Sequence, residues 1–435
     1  MKKVLITTLG CKVNQYESTA FRTGLEEAGM KVVSRGGNAD IVIINTCAVT
    51  GSAGAQSRQA LRRALRSSPA ARIIVTGCYA ELAARELAAE PELEGRNYSL
   101  IGNSKKDRLV PHLLEEEMGE EMMGTIATAS EICRLPVRRF GDRSRAYLRI
   151  QDGCESFCTY CIVPFTRGPS RSLPEEEVIE QAQIYAEQGY REIILTGIHI
   201  GNYGRDLGSE RTLTHLIDRL SNTTPDVAYR ISSLEPLELD EKLLSLMAER
   251  SNIQPHLHIP LQSGQDEILA RMNRRYTTAE FRQRIELCRR WLPDAAIGID
   301  ILVGFPGETE AHFAETLAFL RALDFTYLHV FPYSLRPGTV AAGFADQVPQ
   351  PVKEQRVAVL RRLSEEKRIS FFRSQLGRTW PVIVEGRRDG EGLLQGFTAN
   401  YVAVHFAGPD SLLHGLATVR LLDLRDNHIL GERIP

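Results

Sequence analysis

Three short β-branched runs near the amino terminus each end at a cysteine, and this repeat constrains the fold more than any other feature. The cysteines are Cys11 after residues 4–9, Cys47 after residues 41–46 and Cys78 after residues 73–77; we call them the sheet triplet. Helical stretches at residues 17–28 and 54–66 lie between the runs. Strand and helix alternating at this spacing favour a parallel sheet with helices on its faces. Because loops at the carboxyl ends of parallel strands gather in one crevice, we expect the sheet triplet to meet there.

A charged start, an apolar run and Cys11 also resemble the leader of an exported lipoprotein. The apolar run is shorter than the roughly 7–15 residues that such a leader needs, and the same pattern recurs at Cys47 and Cys78. Eight cysteines in 435 residues are too sparse for a disulfide scaffold. The pattern therefore predicts metal or redox chemistry in a reducing cytoplasm, with separate buried thiols as the alternative.

The length of 435 residues predicts two or three domains, and 43% hydrophobic residues are enough to build their cores. We place a Rossmann-like parallel-sheet domain at residues 1–125, a linker at 126–145, a partial (β/α)6 barrel of the TIM type at 146–370 and a small antiparallel β-barrel at 371–435. Six strand-like runs alternate with helical stretches in the third region: 147–150, 192–196, 228–232, 256–260, 297–303 and 327–331. The last region contains shorter runs at 381–385, 401–406 and 417–423. No apolar run approaches the ~20 residues of a membrane span, so we expect a soluble α/β protein.

The strongest chemical signal is the spacing C-x3-C-x2-C of Cys154, Cys158 and Cys161, which we call the barrel triplet. It lies in the loop after the first predicted barrel strand, where its thiolates can reach one face of a metal centre. A structural zinc ion requires a fourth ligand, and neither Glu155 nor a nearby histidine completes the set. Four-iron clusters are normally held by four cysteines, so a triplet leaves one iron open to bind something else.

This spacing, with the aromatic Tyr160 just before the last cysteine, resembles the radical S-adenosylmethionine (SAM) signature. The amino-terminal three-cysteine region, the barrel and a tail that resembles a TRAM domain together are similar to the methylthiotransferases. The stretch Gly10-Cys-Lys-Val-Asn-Gln15 is similar to the branch that acts on N6-threonylcarbamoyladenosine in tRNA. The isopentenyladenosine branch and the ribosomal-protein branch are the less similar ones.

The resemblance implies an enzyme with two [4Fe-4S] clusters. The barrel triplet would hold one cluster, which binds SAM and, once reduced, splits it to a 5′-deoxyadenosyl radical. The sheet triplet would hold the second cluster, which carries the sulfur to be transferred, and a second SAM would donate the methyl group. The implied reaction methylthiolates C2 of threonylcarbamoyladenosine at adenosine-37 of the anticodon loop. The implied partners are the tRNA anticodon stem-loop, an electron donor such as flavodoxin or ferredoxin, and a sulfur source, in the cytoplasm and away from membranes.

By the same resemblance, residues that follow the predicted barrel strands are candidate SAM contacts: Tyr160, Thr196, Gly197, Ser233, Glu235, Gln262, Ser263, Asp300 and Gly304. Turn chemistry explains each of them equally well, because Gly, Ser and Thr also form loops. Arg167 is similar to a family position near the cluster, with a surface arginine as the alternative. Asn14, Asn45 and Thr46 adjoin the sheet triplet and are candidates to orient its cluster.

The net charge of −2 does not by itself indicate a nucleic-acid-binding protein, so the prediction of RNA binding depends on local basic patches. Arg58, Arg62 and Arg66 recur every four residues on one helix face and are candidates to follow RNA phosphates. An ordinary solvated helix face explains them equally well. The tail carries as many arginines as acidic residues, and its candidate contacts to a phosphate or a stacked base are loop residues: Arg387, Arg388, Asn400 and Tyr401.

Three rival functions remain open at this point. A methylthiotransferase for isopentenyladenosine would use the same cysteines on another tRNA. A non-catalytic, metal-stabilised RNA-binding protein would contain zinc and be colourless. A ferredoxin-like carrier would contain iron but would not cleave SAM, and the barrel would have no role in it.

Overall fold

The computed structural model describes residues 1–34, 39–115, 121–141, 143–208 and 210–435. The amino-terminal part alternates strands with helices as predicted: β1 (Lys3–Thr8), α1 (Lys12–Glu27), β2 (Lys31–Val33), β3 (Ile41–Thr46), α2 (Gly51–Ser67), β4 (Arg72–Gly77), α3 (Cys78–Leu82), α4 (Ala84–Ala88), β5 (Tyr98–Ile101), α5 (Leu109–Leu114) and β6 (Glu121–Met122). The strands form one six-stranded parallel sheet in the order β2-β1-β3-β4-β5-β6. Every residue of β3 is buried, as expected for a strand that helices cover on both faces.

The strand order of this sheet reverses between β1 and β3, because β2 lies on one side of β1 and the later strands lie on the other. Open parallel sheets bind ligands in the crevice beyond the strand carboxyl ends at such a reversal. Cys11 follows β1, Cys47 follows β3 and Cys78 follows β4. The fold therefore places the sheet triplet at the crevice, as the repeat predicts.

The central part is a half barrel with every predicted strand present: β7 (Arg145–Arg149), β8 (Gln151–Asp152), α6 (Val163–Arg167), β9 (Arg171–Ser172), α7 (Glu175–Glu187), β10 (Glu192–Thr196), α8 (Leu213–Thr223), β11 (Ala228–Ile231), α9 (Glu241–Glu249), β12 (His256–Gln262), α10 (Asp266–Arg271), α11 (Thr278–Trp291), β13 (Ala296–Val303), α12 (Glu310–Ala322), β14 (Tyr327–Pro332) and α13 (Gln350–Ser374). Its parallel strands form two three-stranded sheets, β7-β10-β11 and β12-β13-β14. The backbone N–H of Leu234 donates to the carbonyl of His258 at 3.0 Å and joins the two sheets.

The tail forms a closed barrel of β15 (Thr379–Arg388), β16 (Leu394–Thr398), β17 (Ala403–Phe406), β18 (Leu416–Arg425) and β19 (His428–Arg433). The sequence predicts three of these strands and misses β16 and β19. The pair β17 and β19 is parallel, whereas the other pairs are antiparallel. The strand predicted from residue 401 begins at Ala403, because Tyr401 has φ 67° and belongs to a turn.

The three parts pack on one another. One apolar core runs from the amino-terminal sheet, for example Ile43, into the half barrel, for example Leu148. The terminal barrel attaches through Asn400, whose Nδ2 donates to the carbonyl of Asp294 at 3.0 Å. The predicted domain boundaries stay predictions. No helix among the described residues is both long enough and apolar enough to cross a membrane.

Candidate active site

The barrel triplet lies in the loop that joins β8 to α6, and glycine shapes the start of this loop. Gly153 has φ 78° and a Cβ at this position would lie 1.9 Å from the carbonyl oxygen of Pro169. Only glycine fits both the conformation and the space. Gly153 therefore fixes the turn that follows β8, and Cys154 comes directly after this turn.

Two of the thiols have basic neighbours from other loops of the barrel, His199 after β10 and Arg274 between α10 and α11. Cys154 Sγ lies 3.6 Å from His199 Nδ1, and Cys158 Sγ lies 3.4 Å from Arg274 Nη1. Burial would raise the pKa of Cys154, but hydrogen bonds from His199 and Ser156 lower it below its ordinary value. Burial raises the pKa of Cys161 to about 12. The loop thus stabilises one thiolate through its own contacts, whereas a buried thiol such as Cys161 ionises readily on binding a metal.

The sheet triplet lies in a tighter setting. A Cβ on Gly10 would lie 2.6 Å from Cys47 Sγ, so glycine is required beside this thiol. Cys78 Sγ accepts a hydrogen bond from Arg167 Nε at 3.3 Å. Burial raises the pKa of Cys11 to about 11, and it also raises the pKa of Cys47. Buried thiols of this kind become thiolates when a metal displaces their protons.

The spacing of the thiols fits a multi-iron centre better than a single zinc ion. Among the described residues, a group of His, Cys, Asp or Glu ligand atoms all within 4.8 Å of one another occurs at His258, Asp300 and His329, and at neither cysteine triplet. A zinc ion with Zn–S bonds of about 2.3 Å would hold its thiolates about 3.8 Å apart. Both triplets are therefore wider than a zinc site, and their donors are the thiolates that iron–sulfur clusters use.

Arg167 connects the two triplets through the protein interior, although the sequence allows it to be a surface residue. Its guanidinium is fully buried and donates to Cys78 Sγ, to Glu17 Oε1 at 2.7 Å, to Asp152 at 3.2 Å and to Asn14 Oδ1 at 2.7 Å. Asp152 directly precedes the loop of the barrel triplet. A single side chain therefore contacts the sheet triplet and the base of the other loop.

The buried carboxylates of this network are ionised. Burial would raise the pKa of Glu17, but Arg167, Lys106 and Arg149 hold it below its ordinary value of 4.5. Lys106 Nζ lies 2.5 Å from Glu17 Oε2. The pKa of Asp152 is likewise lowered, because arginines around it outweigh its burial. The network therefore keeps its carboxylates charged beside the two triplets.

Two cavities lie on either side of the loops that follow β10 and β11. The first, the cluster-loop cavity, has a volume of about 670 Å³ and a lining of mixed charge that includes Cys158, His199, Glu235, Glu238 and Arg274. The second, the inner cavity, has a volume of about 710 Å³ and lies between Cys11, the half barrel and the terminal barrel; its lining includes Lys12, Thr196, Arg230, His256, His329 and Tyr401. Each triplet therefore supplies one thiol to one of the cavities.

The structure divides the predicted SAM contacts between these places. Thr196, Gly197 and Ser233 line the inner cavity, and Glu235 lines the cluster-loop cavity. Asp300 lies beside the inner cavity, where His258 and His329 contact it at 2.7 and 3.1 Å. Burial would raise the pKa of Asp300, but these hydrogen bonds lower it to about 2. Tyr160 packs in a small apolar group with Met272, Phe305 and Tyr333.

Like Tyr160 and Asp300, three further predicted SAM contacts line neither cavity: Gln262, Ser263 and Gly304. Ser263 is buried, and a Cβ on its neighbour Gly264 would lie 2.9 Å from Thr316 of α12. The backbone N–H of Gly304 donates to Glu308 at 2.9 Å, and Lys353 of α13 covers this glycine. Helices α12 and α13 therefore close this side of the barrel, which the sequence does not reveal.

The predicted arginine stripe lies on α2, but two of its members have partners in the chain. Arg58 donates to the hydroxyl of Tyr79 at 2.6 Å and lies over that ring. Arg62 is exposed and pairs with Glu90 at 3.4 Å. Arg66 is exposed and donates only to the carbonyl of Arg62 among the bonds seen in the described residues. The role of the stripe in RNA binding stays a prediction.

The terminal barrel corrects one predicted RNA contact and relocates another. Asn400 is fully buried and its amide bonds to Asp294 and Gln375, so it attaches the barrel and does not face RNA. Tyr401 is 36% exposed and lines the inner cavity. Arg387 is exposed, and Arg388 pairs with Asp410 at 2.6 Å.

Sequence reasoning missed several residues at the site: Lys12, His199, Arg230, His256, Arg274 and His329. Lys12 and His199 lie within two positions of predicted site residues, so proximity was a usable signal. Arg274 is 116 positions from Cys158. No local pattern indicates a contact over that distance, and only the fold brings the two together.

Two family models match the chain. The one described as uncharacterized protein family UPF0004 matches residues 3–95, which include the sheet triplet. The radical SAM superfamily matches residues 148–320, which include the barrel triplet.

Curated relatives match over nearly the whole chain. The threonylcarbamoyladenosine tRNA methylthiotransferase MtaB of Bacillus subtilis is 38% identical over 429 residues, which cover 97% of this chain and 94% of that protein. The protein of the same name from Thermotoga maritima is 34% identical and covers 100% of this chain and 97% of its own length. A tRNA-2-methylthio-N(6)-dimethylallyladenosine synthase of Geobacillus kaustophilus is 33% identical over 100% of this chain and 82% of its own length.

A solved structure has the same fold over most of the chain. It is the radical SAM methyltransferase TsrM of Kitasatospora setae, with a TM-score of 0.58 at 15% identity, and the match covers 79% of this chain and 77% of that one. This likeness supports the arrangement of a sheet domain followed by a half barrel.

Proposed function

The chain belongs to the radical SAM methylthiotransferase family, and we propose that it methylthiolates C2 of N6-threonylcarbamoyladenosine at position 37 of a tRNA anticodon loop. Membership makes it a sulfur-transferring enzyme that uses SAM and iron–sulfur chemistry. The observation that carries the proposal is the placement of two three-cysteine sites at two cavities that share the same loops. One site suits SAM cleavage and the other suits sulfur delivery.

The two triplets would each hold a [4Fe-4S] cluster with one iron free of protein ligands. When bound, these groups and two SAM molecules supply a 5′-deoxyadenosyl radical, a sulfur atom and a methyl group. The chain's own part is to hold and separate these components. His199 and Arg274 place positive groups beside the barrel triplet, and Arg167 does so at the sheet triplet.

The cluster-loop cavity suits the amino-acid end of SAM, which carries both an ammonium and a carboxylate. Glu235 and Arg274 form an ion pair in its wall and offer one group of each sign. The inner cavity suits a flat base, because Tyr327, Phe397 and Tyr401 contribute aromatic rings to its lining. The loops after β10 and β11 contribute residues to both linings, so the two cavities adjoin the same loops.

The choice of substrate rests on the relatives' names. Relatives at 34–38% identity are named for threonylcarbamoyladenosine, and a relative at 33% identity is named for dimethylallyladenosine. The proposal includes a cytoplasmic enzyme that needs an electron donor such as flavodoxin or ferredoxin and a separate sulfur source. Isopentenyladenosine is the second candidate substrate.

The decisive experiment is nucleoside mass spectrometry of tRNA from cells that lack this gene, before and after the gene is restored. We expect the 2-methylthio form of threonylcarbamoyladenosine to disappear and to return, while the methylthio form of isopentenyladenosine stays constant. Restoration with Cys158→Ala is the matched control and should not return the product. If only the isopentenyladenosine product changes, the proposed substrate is wrong.

A further inference from the structure

The inner cavity is cationic in a way that its proposed role as a base pocket does not require. Three basic side chains line it, Lys12, Arg230 and Arg368, together with three histidines, and no carboxylate among the described residues does so. The cluster-loop cavity, in contrast, is lined by both signs. Arg368 is already paired with Glu365 at 2.7 Å. Arg230 shares the carboxylate of Glu192, which lies outside the lining, with Arg145. Arg230 and Lys12 are therefore the two basic side chains of the lining that are left to meet a ligand.

Arg230 lines this cavity and has a buried donor without a partner among the described residues. The residue is 2% exposed and lies on β11, with Nε bonded to Glu192 and Nη1 donating to the carbonyl of Ala399 at 3.1 Å. Its Nη2 has no hydrogen-bond partner in the part of the chain that the structure describes. A buried guanidinium N–H without a partner costs free energy, so the position is built for an acceptor that arrives with a ligand.

The surroundings of Arg230 fix where that acceptor would lie. The guanidinium stacks on the ring of Tyr401 at 4.6 Å, which holds it flat against the terminal barrel. His256 lies in the same lining and its Nδ1 also lacks a partner among the described residues. Lys12 lies in the same lining, where its positive charge interacts with that of Arg230, and its Nζ forms no ion pair with any described residue. An anionic group bound here would meet a planar fork, a neutral ring and an ammonium together.

We propose that Arg230 and Lys12 form a carboxylate subsite that binds the carboxylate of the substituent on the target adenine. This inference rests on the proposed function, because a threonylcarbamoyl group carries such a carboxylate and an isopentenyl group carries none. The subsite then selects the substrate in two ways. It pairs with the acid, and it leaves the Nη2 donor of Arg230 without an acceptor when an apolar substituent occupies the cavity.

The test is equilibrium binding of the anaerobically reconstituted full-length protein to three anticodon stem-loop RNAs. They carry N6-threonylcarbamoyladenosine, the same nucleoside with its carboxylate converted to a neutral amide, and unmodified adenosine. We expect the acid form to bind at least about tenfold more tightly than the amide, as a charged hydrogen-bond pair requires. Arg230→Gln should abolish this preference and leave the affinity for the amide RNA unchanged.

The control variant is Arg282→Gln, which removes an arginine that lies 5.0 Å over Phe319, away from both cavities. It should keep the full preference for the acid. Lys12→Gln, at the mouth of the cavity, should reduce the preference severalfold. If Arg230→Gln does not fold, the affinities of the unaltered protein and of Lys12→Gln for the three RNAs still show whether the acid is preferred.

Two results overturn the subsite. One is equal affinity of the unaltered protein for the acid and amide RNAs. The other is a loss of affinity by Arg230→Gln that is the same for all three RNAs, which indicates contact with a backbone phosphate. Incubation of the protein and each RNA with SAM and a reductant distinguishes failure of the subsite from failure of the proposed function. Methylthio product on the threonylcarbamoyl RNA without an acid preference refutes the subsite alone, whereas product on an isopentenyl RNA alone refutes the function.

Discussion

Replacing Arg167 by methionine tests whether the network between the two cysteine triplets is as strongly coupled as its geometry indicates. Methionine fills a similar volume but removes the charge and every donor. Glu17 and Asp152 would then lose an arginine that lies 2.7 and 3.2 Å from them. Glu17 keeps Lys106 at 2.5 Å, and both carboxylates keep Arg149 at 3.6 Å.

The magnitude follows from the burial of all the partners. Breaking a buried ion pair from one side costs about 3–5 kcal/mol, because the remaining charge stays desolvated. The remaining partners, Lys106 and Arg149, place the expected cost at about 3 kcal/mol, which lowers the melting temperature of a chain of this length by about 3 °C. Arg167→Lys keeps the charge but loses the planar fork that reaches four side chains, so we expect a cost of about 1–2 kcal/mol.

The destabilisation caused by Arg167→Met depends on pH in a direction that follows from the pKa of Glu17. Burial alone raises the pKa of Glu17, and the cations around it lower that pKa below 4.5. A carboxylate with a depressed pKa stabilises the fold above its unfolded value and loses this contribution as the pH falls. In Arg167→Met the pKa of Glu17 is higher than in the parent. Glu17 is therefore protonated at a higher pH in the variant, which removes the cost of its less well compensated buried charge. The melting temperatures of the two proteins should therefore differ most near pH 8 and approach each other only below the ordinary carboxyl pKa of 4.5, near pH 4.

The measurement is anaerobic thermal unfolding of the reconstituted proteins, followed by circular dichroism at both pH values. Arg143→Met is the matched control, because Arg143 is exposed and donates to Gln15 at 2.9 Å. It should change the melting temperature by less than about 2 °C. An Arg167→Met protein that melts within about 2 °C of the parent at pH 8 would refute the coupling.

Three further outcomes are expected. Cys47→Ala should lose about four iron atoms per chain and make no methylthio product, but it should still release 5′-deoxyadenosine from SAM. Cys158→Ala should release no 5′-deoxyadenosine. Methylthio product from Cys47→Ala contradicts the two-cluster account. Asn400→Leu should destabilise the attachment of the terminal barrel by about 2 kcal/mol, because it leaves the buried partners of its amide unpaired, and limited proteolysis checks this against a neutral Arg387→Gln. Arg66→Gln should reduce the salt slope of RNA binding by about one, and an unchanged slope removes the α2 stripe from the interface.

The positions of the cysteines after strands were predictable, because their spacing and the strand-like runs before them are local properties. The repeat at Cys11, Cys47 and Cys78 predicts a shared crevice, and the strand order of the sheet confirms it. The half barrel was predictable for the same reason, since each of its parallel strands contains several apolar residues in a short run between helical stretches. The strands β16 and β19 were missed because Gly396 and Gly431 interrupt the runs that would announce them.

The sequence by itself determined the chemistry: three thiols in a radical SAM spacing, three more after parallel strands, and the family to which they belong. Only the tertiary structure decided the surroundings of those thiols. Arg167 contacts Glu17 across 150 positions, and Arg274 contacts Cys158 across 116. The charge of the inner cavity was equally hidden, because Lys12 and Arg230 belong to different parts of the chain. Ligand spacing is a property of neighbouring residues, whereas burial and charge balance depend on which distant strands the fold brings together.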